Sequence, residues 1–120
     1  MSLHRGWVDI GGNAFVSITL ARGETIECLI DTGFDGELLL PLSFAERLRL
    51  RVINEEELFL AAGVTTQAFT SVVEINWLGI WREVELTLTD GSDRLLGTTL
   101  LKGTRLKIDY IANRVEIEKP

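Results

Sequence analysis

The chain has 120 residues, a mass of 13.4 kDa and a formal charge of −6, from 18 acidic against 12 basic side chains. That length holds one cooperative core, so a single domain spanning 1–120 is expected, and it is too short for a TIM barrel or a full dinucleotide-binding enzyme. Hydrophobic residues at 46% and charged residues at 25% describe a folded globule, and no basic stripe is available for nucleic-acid phosphates or an anionic membrane.

Residues 1–6 are polar and are expected to be loosely ordered, without the charged and then apolar regions of a secretory signal. They carry the only histidine, His4, expected as a solvated surface residue. A Ser-His-Asp triad, a Cys-His pair or a multi-histidine metal site would have to recruit it. Chemistry is therefore expected from carboxylates, hydroxyls or backbone, with no metal or organic cofactor.

Trp7-Val8-Asp9-Ile10 runs into the turn Gly11-Gly12-Asn13. Phe15 to Leu20 alternates at period two, Arg22-Gly23-Glu24 turns the chain, and Thr25 to Ile30 completes a hairpin. Cys28, the only cysteine, cannot form an internal disulfide and is expected as an inert core residue in a reducing, cytoplasmic compartment. Leu38-Leu39-Leu40 is far too short to span a bilayer. From Pro41 to Leu48 the period changes to a short helix, with Ser43 and Glu46 placed as a capping box and Phe44, Ala45 and Leu48 on one face.

Asn54 to Glu57 reads as a solvated, charged turn, and Leu58 to Ile75 as a hairpin with Ala61-Ala62-Gly63 near its tip. Trp81 to Thr89 alternates, with Val84, Leu86 and Leu88 on one side. Asp90-Gly91-Ser92 is a turn, and Thr98 to Lys102 a second short helix capped by Thr98 and stopped by Gly103. Leu106 to Tyr110 and Arg114 to Glu118 close the chain as strands. Trp7, Trp77 and Trp81 are read as core or hairpin packing. The rhythm of short strands and turns predicts a mostly β domain, a barrel or sandwich, with one or two short helices.

One segment is unlike the rest. Cys28-Leu29-Ile30 drives Asp31 to the end of a buried strand, and Thr32-Gly33 makes a tight turn. Taken alone, this is as readily an Asx-type turn as a reactive carboxylate. Later comes Arg94-Leu95-Leu96-Gly97-Thr98-Thr99: two large apolar residues, a glycine and a short helix.

Apolar-apolar-Asp-Thr-Gly, a glycine-bearing hairpin, then apolar-apolar-Gly and a helix together resemble the retropepsin-like aspartic proteases. The run Asp31-Thr32-Gly33-Phe34-Asp35-Gly36 with Leu40-Pro41 soon after is most similar to small bacterial single-domain members, over about residues 15–118. The resemblance implies a closed acid-protease-like barrel in which the second motif packs in a crossed loop against the first. It also implies that Asp31 is catalytic, that Thr32, Gly33, Leu95, Leu96 and Gly97 support the active-site loops, and that Gly33, Phe34, Asp35, Ala62 and Gly63 bind substrate. Phe34 stands where retroviral members have Ala. Thr98 stands where they have an Arg that pairs with an acid, which leaves Asp35 to Arg94 or Arg105.

Hydrolysis by this route needs two carboxylates sharing one proton, and this chain has one in a suitable motif. A two-fold homodimer acting on peptide is the expectation, with the strands around Ile108 and Ile117 supplying dimer contacts. The alternative is a catalytically silent member that binds peptides or proteins in the same groove.

Overall fold

The computed structural model of the chain describes residues 2–59 and 61–120. Ten strands form one sheet: β1 (Ser2–Val8), β2 (Ala14–Leu20), β3 (Thr25–Ile30), β4 (Leu38–Pro41), β5 (Asn54–Phe59), β6 (Thr65–Trp77), β7 (Ile80–Thr89), β8 (Leu95–Leu96), β9 (Arg105–Asp109) and β10 (Arg114–Lys119). Two short helices, α1 (Leu42–Leu48) and α2 (Thr98–Leu101), interrupt the series. Strand order is β5-β6-β7-β4-β8-β3-β2-β1-β10-β9, and a further pairing of β6 with β2 closes the middle six into a ring.

Period-two patterning places the core inside that ring. Val16, Ile18 and Leu20 of β2, Ile26 and Cys28 of β3, and Val84, Leu86 and Leu88 of β7 are all buried, with β2 alternating strictly along its length. Phe44, Ala45 and Leu48 of α1 join them, the face read from sequence. The helix begins without a side-chain cap, however. Pro41 is the N-cap residue, so Ser43 already lies inside the helix. Gly97 likewise stands at the N-cap of α2, so Thr98 is its first helical residue. Among the described residues, no helix is long and apolar enough to cross a membrane.

Two polar stretches not expected as strands, one as a loose end and one as a turn, are ordered by pairing. Residues 2–6 belong to β1, which lies between β10 and β2, while Met1 lies outside the described residues. His4 is half-buried there. Its Nε2–H donates to the Ser17 carbonyl at 2.8 Å, and its ring lies 5.9 Å from that of Trp77. Glu55, Glu56 and Glu57 pair with Phe69, Ala68 and Gln67 of β6 as an edge strand instead of forming a turn. Charged side chains suit such an edge, because they stay in water and discourage pairing with another chain.

The C-terminal strands also differ from expectation. β10 is paired on both sides within its own chain, by β1 and β9, and Ile117 is fully buried in the core. Ile117 is therefore a core residue and not a dimer contact, and Ile108 is half-buried against the same core. Trp77 is buried and Trp7 stacks on Phe15 at 5.9 Å, whereas Trp81 is half exposed on the β7 edge of a turn.

Candidate active site

Asp31 follows the last residue of β3, and two backbone bonds fix it. Its N–H donates to the Leu96 carbonyl at 3.0 Å, and its carbonyl accepts the Phe34 N–H at 3.1 Å. The Asp31 carboxylate accepts the Gly33 N–H through Oδ1 at 2.8 Å, closing an Asx turn and leaving Oδ2 outside that bond. Thr32 and Gly33 at the turn are exposed, and Asp31 is half-buried.

β8 is what makes this end of the sheet unusual. Leu95 and Leu96 pair in parallel with Leu29 and Ile30 of β3 and antiparallel with Leu39 and Leu38 of β4. The two motifs read from sequence are thus adjacent strands, with the second wedged between the two strands that carry the first. Beyond β8, the Gly97 N–H donates to the Glu37 carbonyl at 3.0 Å, Thr98 N–H to Phe34 at 2.9 Å and Thr99 N–H to Gly36 at 3.2 Å. The Thr98 hydroxyl also donates to the Phe34 carbonyl at 3.3 Å, and the Thr99 hydroxyl donates to the Asp35 carbonyl. The turn after Asp31 is held by these backbone bonds together with the hydroxyls of Thr98 and Thr99.

Phe34 packs where the chain narrows. A Cβ on Gly97 would lie 2.3 Å from the Gly36 carbonyl and 2.6 Å from the Phe34 ring, and one on Gly36 would lie 2.4 Å from that ring. At Gly97 the backbone leaves room only for glycine, whereas a side chain at Gly36 would have to displace the Phe34 ring. Gly36, Thr99 and Glu37 are the site residues that sequence reasoning missed. Glu37 accepts Arg82 at 2.8 Å and the Glu85 N–H at 2.9 Å, pinning the loop to β7. Nothing local in the sequence signals a pairing of residues this far apart. Among the described residues, the ion pairs are Arg82–Glu37 and Arg105–Glu118, and Arg94 lies over the Phe44 ring at 5.1 Å. Neither Arg94 nor Arg105 serves Asp35.

A cleft of about 670 Å³ opens beside this turn. Gly33, Phe34 and Asp35 line it on one side, and Glu57, Phe59 and Thr66 of the β5–β6 hairpin on another. Asp31 is not among its described lining residues, nor are Ala62 and Gly63. Those two stand exposed in the 3-10 turn Ala61–Gly63 between β5 and β6, with Ala62 in the left-handed region at φ 62°. Leu60, just before that hairpin tip, lies outside the described residues. Cys28 is buried beneath the site, and that burial pushes its thiol up to about 12 against a smaller opposing pull from Arg94. It is no nucleophile.

The comparisons bear on the same architecture. No family model matches the chain. In structure it is similar to the EIAV protease complexed with the inhibitor HBY-793, with a TM-score of 0.66 at 19% identity over 78% of this chain and 89% of that one. It is also similar to the retroviral protease-like domain of Ddi1 from Leishmania major, with a TM-score of 0.53 at 18% identity over 88% of each chain. The fold is retropepsin-like. In sequence the chain is 27% identical over 111 residues to an uncharacterized protein of Archaeoglobus fulgidus, covering 88% of this chain and 86% of that one.

Proposed function

We propose that the protein is an aspartic endopeptidase that works as a homodimer, with Asp31 of each copy meeting at the two-fold axis. The observation that carries this reading is the position of Asp31. It follows a core strand, its N–H is tied to the Leu96 carbonyl at 3.0 Å, and Gly33, Phe34 and Asp35 of its turn line a cleft of about 670 Å³. One carboxylate of the pair takes a proton from water while the other donates its proton to the carbonyl oxygen of the scissile bond. In such a dyad the two carboxylates share one proton, because adjacent like charges do not both ionise. Thr32, Gly33, Leu95, Leu96 and Gly97 hold the turn, and Gly33, Phe34 and Asp35 border the substrate. Ala62 and Gly63 form the tip of the hairpin that closes over it. The substrate lies as an extended strand between hairpin and turn. Because β10 has both neighbours within its own chain, the subunits meet through the exposed turn at Thr32 and not by exchanging β10.

The test is incubation with a peptide library and mass-spectrometric mapping of cuts, beside an Asp31→Asn control. Cuts that vanish in the control support the reading. A folded dimer that binds peptides but cuts none of them is instead the silent binding module.

A further inference from the structure

We propose that the cleft selects extended peptides carrying lysine or arginine, a substrate class that rests on the reading of this cleft as the substrate groove. Its floor is apolar, from Phe34, Leu39 and Leu95, and Phe59 adds an apolar face on the hairpin wall. Its charged lining is Asp35, Glu57, Asp90 and Asp93, with no lysine, arginine or histidine among the described lining residues. All four carboxylates are exposed, and none is in an ion pair among the described residues. Among the described residues Glu57 accepts only the Thr65 hydroxyl, at 3.2 Å, and Asp90 the Thr66 hydroxyl, at 3.5 Å.

The nearby cations are engaged elsewhere. Arg82 is paired with Glu37, and Arg94 lies over the ring of Phe44. An apolar floor under an anionic rim matches side chains that are themselves two-part. Lysine and arginine carry an apolar stem that lies along Phe34 and Leu95 and a cationic head that reaches the carboxylates. Acidic side chains meet four like charges there, so the same lining excludes them. The rim also gathers cationic peptides before contact, an effect that weakens as salt screens it.

The experiment uses the full-length Asp31→Asn protein, so that binding is read without cleavage. Fluorescein-labelled peptides of one sequence, differing only by lysine, norleucine or glutamate at two positions, are titrated by anisotropy. The lysine peptide should bind roughly tenfold tighter than the norleucine one in low salt, and that advantage should shrink in about 0.5 M salt. Adding Asp90→Asn with Asp93→Asn should bring the two peptides within about twofold, and adding Glu57→Gln instead should reduce the gap from the opposite wall. Equal binding of lysine and glutamate peptides, no binding of any, or a preference untouched by both sets of substitutions overturns the proposal. Cleavage by the wild-type protein is read separately. Charge-selective binding without cleavage removes the peptidase reading and leaves this one standing, and cleavage blind to charge does the reverse.

Discussion

The Asp31 N–H and the Leu96 carbonyl, 3.0 Å apart, join the ends of two strands that run parallel although they lie far apart in the chain. From that point the segment Gly97 to Thr99 hydrogen-bonds back onto Phe34, Gly36 and Glu37. The carboxylate is thereby positioned by main-chain groups, which hold their geometry better than flexible side chains do. Replacing the side chains around it should cost little order, and crowding its backbone should cost much.

Gly97→Ala is the sharpest test of that asymmetry. The new Cβ would stand 2.3 Å from the Gly36 carbonyl and 2.6 Å from both the Phe34 ring and the Phe34 carbonyl. Two of these are backbone atoms that cannot rotate away, so the loops must separate. We expect a loss of about 1–3 kcal/mol in urea unfolding, the usual range for overpacking. Gly91→Ala, whose Cβ would meet only the Thr89 hydroxyl at 3.5 Å, should stay within about 0.5 kcal/mol of the parent. Equal effects for the two would show that the close approach at Gly97 is not what holds the loops.

Asp31→Asn should separate chemistry from folding. The amide oxygen can still accept the Gly33 N–H, and the backbone bond to Leu96 does not involve the side chain. Stability should therefore change by less than about 0.5 kcal/mol. Peptide cleavage should fall by roughly 10²–10⁴-fold, because the amide cannot take a proton from water. A variant that keeps most of its turnover removes Asp31 from the reaction.

The parts of this site that were legible in sequence are those that local pattern encodes. Asp31-Thr32-Gly33 after an apolar run and Leu95-Leu96-Gly97 before a helix each mark a strand end, and the structure sets those ends side by side. What stayed hidden depends on long-range register. The fit of Gly36 against Gly97 and the reach of Glu37 to Arg82 have no spacing rule. β1 and β5 were missed for a related reason. Their polar residues lack apolar alternation, and neighbouring strands, not their own composition, hold them extended.

Ile117 and Ile111 should respond oppositely to truncation. Ile117 is fully buried among core residues, whereas Ile111 is 97% exposed at the turn between β9 and β10. That turn is tied by the Asp109 carboxylate, which accepts the N–H groups of Ile111 and Ala112 at 2.9 and 3.0 Å. Ile117→Ala should cost about 2–5 kcal/mol at every protein concentration, as a cavity within one subunit does. Ile111→Ser should leave unfolding within about 0.5 kcal/mol. A cost for Ile117→Ala that grows as protein is diluted would return β10 to the subunit interface.

Cys28 gives the chain a pH dependence on the alkaline side. Burial raises the pKa of its thiol to about 12 in the folded protein, while in the unfolded chain a thiol ionises at about 8.5. Between those values the folded state binds the extra proton. The contribution is therefore complete below about pH 8.5 and is lost as pH rises toward 12, with a slope of at most about 1.4 kcal/mol per pH unit. Urea midpoints compared at pH 8 and pH 10 should fall more steeply for the parent than for Cys28→Ala, whose difference cancels the titration of tyrosine and lysine. A thiol reagent at pH 8 should label the native protein only at the rate of unfolding and should label the urea-unfolded chain at once. Rapid labelling of the native state, or identical pH slopes for parent and variant, would mean that Cys28 is not sealed beneath the Asp31 turn.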